Sequence, residues 1–114
     1  RWIHDQPVFR WRALVSLLCR VAARMKFVWD QKKAYANRRK HGVSFEEATT
    51  ALRDALSVTG YDPDHSIDED RFVTFGMSKK NRLLVVSHTE EGDVIRIISC
   101  RPATPPERTI YEES

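Results

Sequence analysis

Apolar residues after Met25 fall into short runs that polar and charged segments separate. Asp30 is a good N-cap, the ten residues after it lack Gly and Pro, and Gly42 suits the left-handed position that ends a helix. Ser44 and Glu47 have the spacing of a capping box, in which the hydroxyl and the carboxylate each bond the other residue's backbone N–H. Two helices are predicted, over residues 31–40 and 44–54.

Runs rich in β-branched and aromatic residues, bounded by turn residues, predict five strands. One short strand precedes the first helix and four follow the second helix, over residues 26–29, 56–61, 71–78, 82–89 and 94–101. Pro102 ends the last strand, and Thr104 is suited to cap a final helix over residues 105–113. The order of one strand, two helices, a four-stranded antiparallel meander and a C-terminal helix is typical of the α+β class.

The charge is unevenly placed along the chain. The whole sequence carries +3, but residues 1–24 hold five arginines and one acid, so residues 25–114 carry −1. Within the latter, a basic first helix is followed by an acidic loop at residues 62–70. Two distant cysteines and the lack of a long apolar segment favour a reduced, cytoplasmic protein with no membrane partner.

Residues 1–24 are interpreted as an N-terminal extension outside the fold, because the segment that starts at Met25 looks like the natural start of the protein. Apolar residues at four-residue spacing are compatible with a basic amphipathic helix over residues 8–24. Binding of that helix to a membrane surface is one alternative for the extension. The domain itself is assigned to residues 25–114.

Several segments, taken in order and at their spacing, resemble the BrnT toxins, which are similar in fold to the RelE superfamily of ribonucleases. The matching segments are residues 27–30 (FVWD), 40–48 (KHGVSFEEA), 62–66 (DPDHS), 69–72 (EDRF), 82–86 (RLLVV) and 95–101 (IRIISCR), followed by Glu107 and the pair at 111–112. The resemblance implies a RelE-like fold and a ribonuclease toxin of a type II toxin–antitoxin system. Such a toxin would cut RNA without a metal or other cofactor and halt translation.

The same resemblance implies a cognate, BrnA-like antitoxin with a DNA-binding segment, which would bring the complex to operator DNA. The sequence departs from the family pattern after Arg101, where Pro102 replaces a second basic residue. Pro102 removes a positive charge and a backbone donor. An alternative function is therefore a catalytically weak or inactive binding module that holds the antitoxin and co-represses the operon.

Metal-free RNA cleavage needs a base for the 2′-hydroxyl, cations for the charged phosphorane and an acid for the leaving oxygen. Arginine suits the second task because its planar fork grips two phosphate oxygens, and the candidates are Arg71, Arg96 and Arg101. Arg96 and Arg101 lie five residues apart, so a regular strand points them to opposite faces unless a bulge intervenes. A structural ion pair with the acidic loop is the alternative for one of these arginines.

The residue that transfers protons is left open by the sequence. His88 is a catalytic candidate because histidine titrates near neutrality, and Glu69 is an alternative base. With Asp68 and Asp70 adjacent, Glu69 could instead belong to a solvated acidic run. His65 is a further candidate or a solvated member of the acidic loop. His41, at a helix end, is interpreted as structural. Tyr111 is another candidate near the C-terminus, unless it packs the last helix onto the sheet.

RNA contacts are expected from cations and aromatic residues outside the catalytic set, namely Trp29, Lys33, Arg39, Lys80, Arg82 and Tyr111. Aromatic side chains stack on bases, although a Trp that ends a strand is also typical of a core. The basic helix is a phosphate-binding surface or a solvated face. The sequence has neither the spacing of a zinc site nor that of a calcium loop, so no metal site is expected.

Overall fold

The computed structural model describes residues 8–10 and 25–114 of the chain. The strands are β1 (Val8–Arg10), β2 (Lys26–Val28), β3 (Val58–Tyr61), β4 (Arg71–Met77), β5 (Leu83–Glu91) and β6 (Val94–Pro102). The helices are α1 (Gln31–His41), α2 (Phe45–Leu52) and α3 (Pro105–Glu112), and a 3₁₀ turn, Pro63–His65, follows β3. The predicted α+β order is confirmed, and the ends of each predicted element lie within two residues of those in the structure.

The strands form a six-stranded sheet in the order β1-β3-β4-β5-β6-β2. The predicted antiparallel meander, β3 to β6, is confirmed, and β2 closes one edge by pairing parallel to β6. At the other edge β1 pairs antiparallel to β3. Val8–Arg10 is therefore a strand rather than the start of the predicted amphipathic helix, whose remainder, 11–24, lies outside the described residues. The assignment of the domain to residues 25–114 stays a prediction.

One face of the sheet, here called the helix-packed face, is covered by α1 and α2. Its core consists of fully buried residues from both helices and from the central strands, namely Val43, Phe45, Ala48, Ala51, Leu84, Val86, Ile97 and Cys100. The end of α2 approaches β4 so closely that a Cβ on Gly76 would lie 2.1 Å from the carbonyl oxygen of Ala51. Glycine at this position is therefore required by packing rather than by backbone conformation.

Asn37, the buried residue of α1, attaches this helix to the edge of the sheet. Its side-chain amide donates to the carbonyl oxygens of Val43 and Cys100, at 3.0 and 2.8 Å, and its oxygen accepts from the Cys100 N–H at 3.0 Å. β2 pairs only with Val94–Arg96, so the backbone of Cys100 lies beyond the end of β2. Asn37 therefore supplies the hydrogen bonds that a longer β2 would make.

The helix ends follow the predicted caps, with one difference. Asp30 accepts from the Lys32 N–H at 3.0 Å, and Gly42 has the left-handed φ of 71°. The Ser44 hydroxyl accepts from the Glu47 N–H at 3.0 Å, as a capping box requires. The predicted return bond from the Glu47 carboxylate is absent among the described residues, because that carboxylate turns inward to bond Ser78 and the fork of Arg82, which lies before β5.

The opposite face of the sheet, here called the open face, is covered only in part by α3. Ile110 and Tyr111 of α3 pack against Val73, Phe75 and Val85. A hydrogen bond of 2.6 Å from the Tyr111 hydroxyl to the Asp54 carboxylate fastens the end of the helix. None of the described helices is long and apolar enough to cross a membrane.

Candidate functional site

A cleft of about 750 Å³ lies on the open face, between the sheet, α3 and the 3₁₀ turn. Its floor is formed by side chains that point out of β4, β5 and β6, and its walls by the turn and by α3. The polar lining residues are Asp62, Asp64, His65, Ser87, Ser99, Arg101, Thr104 and Glu107. A cleft of this size can accommodate a nucleotide-sized ligand.

A β-bulge in β6 decides which side chains reach the open face. Ser99 pairs with Ser87, but Ile97 rather than Ile98 pairs with His88, so Ile98 is an extra residue in β6. An extra residue reverses the alternation of side chains along the strand. Arg96 and Arg101, which a regular strand would point to opposite faces, therefore both lie on the open face.

Strand register then places a third arginine beside them. Arg71 of β4 pairs with Thr89 of β5, and Thr89 pairs with Arg96 of β6, so Arg71 and Arg96 belong to one row across the open face. Arg101 belongs to a parallel row with Val85, nearer to α3. The fold therefore collects the three predicted catalytic arginines on the same face of the sheet.

Glu69, in the loop before β4, contacts both Arg71 and Arg96. One nitrogen of Arg96, Nη2, lies 2.6 Å from each oxygen of Glu69, and Nη2 of Arg71 lies 3.5 Å from Oε2. The hydrogen bond from Arg96 is the main reason that the pKa of Glu69 lies below its ordinary value. Glu69 is thus an ionised carboxylate held between two cations, and a weaker base than an ordinary glutamate.

Arg71 has a further donor directed into the protein. Its Nε is buried and has no hydrogen-bond partner among the described residues. Buried N–H groups are nearly always paired in native proteins, so such a donor requires an explanation. Among the described residues, this N–H is an unsatisfied donor next to the contact of Arg71 with Glu69.

Arg101 makes a forked pair with Glu107 on the wall of the cleft. Its Nη1 and Nη2 lie 2.8 Å from the two carboxylate oxygens of Glu107. Glu107 also accepts from the backbone N–H of Thr104 at 2.9 Å, at the start of α3. The hydrogen bonds from Arg101 are the largest cause of the lowered pKa of Glu107. This pair therefore both orients Arg101 and holds α3 against the sheet.

The profile of a family described as "Ribonuclease toxin, BrnT, of type II toxin-antitoxin system" matches residues 29–107, more than half of the chain. The chain belongs to the BrnT family. The crystal structure of the Brucella abortus ribonuclease toxin BrnT is similar to it, with 25% sequence identity and a TM-score of 0.52. That match covers 70% of this chain and 97% of the Brucella toxin. No curated protein sequence matches significantly.

Membership of the BrnT family accounts for the α+β fold and makes the chain a ribonuclease toxin of a type II toxin–antitoxin system. A toxin of this type has an antitoxin as its partner. The matched region, 29–107, contains the three arginines of the open face together with Glu69 and Glu107.

His88, a predicted catalytic residue, lies away from the arginines. It is 1% exposed, on the helix-packed face, where its Nε2 lies 2.7 Å from the Thr74 hydroxyl and its ring stacks on Phe72. Burial lowers its pKa to about 4. The physical reason is register: His88 pairs with Phe72 in the row next to Arg71, and so points to the other face.

Three predicted RNA-binding residues have structural contacts. Trp29 is half-buried and meets the edge of the Phe45 ring at a centroid distance of 6.0 Å. The guanidinium of Arg82 contacts the buried carboxylate of Glu47 with two nitrogens and donates to the Gly42 carbonyl at 3.2 Å. Tyr111 is fastened to the loop after α2 and does not line the cleft.

The remaining predicted RNA-binding cations are exposed but separate from the cleft. Lys33 and Arg39 lie on α1, where Arg39 extends over the ring of Tyr35 at 5.8 Å, and Lys80 lies in the turn between β4 and β5. None of the three lines the cleft. Within residues 8–10 and 25–114, no group of three or more His, Cys, Asp or Glu side chains is arranged to hold a metal ion.

Two polar residues on the floor of the cleft were not among the predicted site residues. Ser87 and Ser99 pair across β5 and β6, and both line the cleft next to Val73. Both interrupt otherwise apolar strands, which is the signal that could have identified them. Their significance becomes visible only when the register shows that they lie opposite each other.

Proposed function

We propose that this BrnT-family chain binds RNA on the open face and cleaves it by attack of the ribose 2′-hydroxyl on the adjacent phosphate, without a metal. The observation that carries the proposal is the bulge at Ile98, because it puts Arg96 and Arg101 on one face with Arg71. Guanidinium groups on this face match the charge that develops on a phosphorane.

Phosphate can reach these arginines although carboxylates occupy them in the free protein. The pair of Arg96 with Glu69 is exposed on both sides, and exposed ion pairs contribute little to stability. A dianionic transition state competes well for such a site. Because Arg96 uses only Nη2 on Glu69, its other nitrogens lie outside the pair and are suited to a second, forked contact with phosphate oxygens.

In this reaction the 2′-oxygen forms a bond to phosphorus and the bond from phosphorus to the 5′-oxygen breaks. The products are a 2′,3′-cyclic phosphate and a 5′-hydroxyl. The guanidinium groups stabilise charge throughout, so the arrangement requires no bound cation. Cleavage of cytoplasmic RNA by this route would inhibit translation.

The antitoxin partner fits the same proposal. A segment of a BrnA-like antitoxin that covers the open face would block access of RNA to the arginines, and its own DNA-binding part would bring the complex to operator DNA. Glu69, the one carboxylate that contacts both Arg71 and Arg96 among the described residues, is exposed, so an acidic side chain of such a segment could replace it. This mode of neutralisation is steric and electrostatic and needs no change in the fold.

The full chain, purified free of its antitoxin, tests the proposal when it is incubated with RNA in excess EDTA. We expect cleavage with cyclic-phosphate ends, and its loss in the double variant Arg71→Ala/Arg96→Ala. Folding of the double variant is checked by circular dichroism. Cleavage that needs added Mg²⁺ would contradict the metal-free route.

The alternative function, an inactive binding module, gives a different result. In that case the folded wild type leaves RNA intact while it still binds the antitoxin. The same experiment on translating ribosomes separates inactivity from a toxin that cuts only ribosome-bound RNA, because the latter cuts in that assay alone.

A further inference from the structure

The 3₁₀ turn at the rim of the cleft carries a histidine–aspartate pair that the proposed function has not used. Nδ1 of His65 lies 2.8 Å from Oδ2 of Asp62. The side chain of Asp62 is 7% exposed and that of His65 is 64% exposed. A buried carboxylate therefore holds an imidazole that is accessible from the cleft.

The Asp62 carboxylate is fixed by the turn around it. Its second oxygen, Oδ1, accepts from the Asp64 N–H at 3.2 Å, while its backbone N–H donates to the Arg71 carbonyl at 2.9 Å. The Ser66 hydroxyl donates to the backbone carbonyl of Asp62 and accepts from the Arg71 N–H at 3.0 Å. The pair is thus attached through the backbone to the start of β4, where Arg71 lies.

This arrangement determines which ring nitrogen of His65 can take up a proton. An ionised carboxylate only accepts hydrogen bonds, so Nδ1 carries the proton in the pair and Nε2 of the neutral ring is an acceptor. A carboxylate behind a histidine also stabilises the imidazolium that forms when Nε2 is protonated. The pair has the geometry of a histidine prepared to act as a base.

The cleft brings other charged groups to the same space. Asp64 shares the turn with His65, and Arg101 and Glu107 line the cleft from β6 and α3. Arg101 is the cation that can hold a phosphate there, and Ser87 and Ser99 line the floor. A ribose whose phosphate contacts Arg101 would lie in the cleft that His65 lines.

We infer that His65 is the general base of the RNA cleavage and that Asp62 is its positioning residue. Nε2 of His65 removes the proton of the 2′-hydroxyl as the 2′-oxygen bonds to phosphorus. The bond to the 5′-oxygen breaks, this oxygen takes a proton from water, and Nε2 returns its proton to solvent. The inference rests on the proposed function and adds the residue that starts the reaction.

A structural role for the pair is the competing explanation. The Asp62 carboxylate is buried, so a structural role predicts that substitution of His65 lowers the free energy of unfolding, because it removes the partner of that carboxylate, and leaves cleavage per folded molecule unchanged. The catalytic role predicts a large loss of cleavage per folded molecule. The two explanations therefore differ in which measurement changes.

The test uses the full chain and a short RNA under single-turnover conditions. We expect His65→Ala to cut about 100-fold more slowly, the lower end of what a general base contributes. Binding of a 2′-deoxy analogue, which cannot react, should stay unchanged. Free imidazole should restore part of the lost rate, and Asp62→Asn should slow cleavage less than His65→Ala. His41→Ala, at the end of α1, is the matched control and should cut as the wild type does.

Three results would overturn the inference. If the wild type cuts and His65→Ala cuts equally fast, His65 is not the base, although the proposed function stands. If His65→Ala loses affinity for the 2′-deoxy analogue and imidazole restores nothing, His65 binds RNA rather than transferring protons. If the wild type leaves RNA intact both free in solution and on translating ribosomes, the proposed function fails and the inference fails with it.

Discussion

Two Arg–Glu pairs lie on opposite sides of the sheet, and they differ in a way that separates structure from function. The side chains of Arg82 and Arg96 are almost equally exposed, at 38% and 37%. Their carboxylate partners are not: Glu47 is 3% exposed and Glu69 is 41% exposed. The exposure of the arginine alone therefore does not show whether its charge is available to a ligand.

The burial of the glutamate determines whether the arginine can exchange its partner for an anionic ligand. Glu47 also accepts from Ser78 at 2.6 Å, so its charge is taken out of water and depends on Arg82 for compensation. An anionic ligand at Arg82 would leave that carboxylate unpaired, which is costly. Glu69 is solvated and tolerates the loss of Arg96, so Arg96 is free to exchange its carboxylate for a phosphate.

The largest expected effect is on catalysis by the open face. Arg96→Ala should lower RNA cleavage by about 100- to 1,000-fold, the effect of removing one donor that stabilises a charged transition state. Its free energy of unfolding in urea should change little, because the pair with Glu69 is exposed. Cleavage at the wild-type rate would show that the open face is not the catalytic surface.

The second prediction concerns the helix-packed side. Arg82→Ala should lower the free energy of unfolding by about 3 kcal/mol, because it leaves the Glu47 carboxylate buried without its cation. Cleavage per folded molecule should stay at the wild-type level. The urea midpoint and the rate are measured on one preparation, with Arg96→Ala as the matched control. A loss of cleavage in fully folded Arg82→Ala would restore Arg82 as an RNA-binding residue.

The third prediction concerns how the buried His88 makes the stability of the fold depend on pH. His88 has a pKa of about 4 when folded and an ordinary value of 6.5, so the unfolded chain binds the proton first as pH falls. His88 should therefore stabilise the fold fully above pH 6.5 and lose about 2 kcal/mol of that contribution between pH 6.5 and 5.

His88→Gln isolates this contribution from that of the other histidines. Its free energy of unfolding should vary less than that of the wild type between pH 7 and pH 5, a range above the titration of ordinary carboxylates. Its RNA cleavage should remain, because His88 lies on the face away from the arginines. If the variant folds but no longer cuts RNA, the catalytic role predicted for His88 from sequence is supported after all.

The features that were predicted correctly from sequence, such as the helix ends, depend on local chemistry. Caps at Asp30 and Ser44 and the left-handed Gly42 depend on neighbours within a few residues, and they located the helices correctly. The resemblance to BrnT toxins, carried by ordered short segments, anticipated the family. Arginines were chosen as candidates by residue type, and the fold brings the three of them to one face.

What the sequence could not decide depends on pairing between distant strands. The bulge at Ile98 exists only relative to β5, so the common face of Arg96 and Arg101 stayed open until the register was known. His88 was selected because histidine suits proton transfer, whereas its face follows from its pairing with Phe72. Glu47 was predicted to cap its own helix, yet a buried carboxylate is better compensated by Arg82 than by one backbone N–H.

The smallest expected effect comes from Glu69→Gln, which removes the carboxylate that competes with phosphate at Arg71 and Arg96. RNA affinity should rise only about threefold to fivefold at low salt, because an exposed carboxylate competes weakly for the arginines. Fluorescence anisotropy with a 2′-deoxy analogue measures this, and Glu46→Gln on α2 is the matched control for the change in net charge.

The cleavage rate of Glu69→Gln then shows whether Glu69 only competes with phosphate for the arginines or acts as the general base. A carboxylate whose pKa is lowered by Arg96 is a weak base, so the variant should cut at least as fast as the wild type. The difference from the control should shrink as salt is added, because added ions screen exposed charges. Tighter binding together with loss of cleavage would make Glu69 the base. The exposed pair of Arg96 and Glu69 would then resemble the buried pair of Arg82 and Glu47, because in each pair both residues would be required.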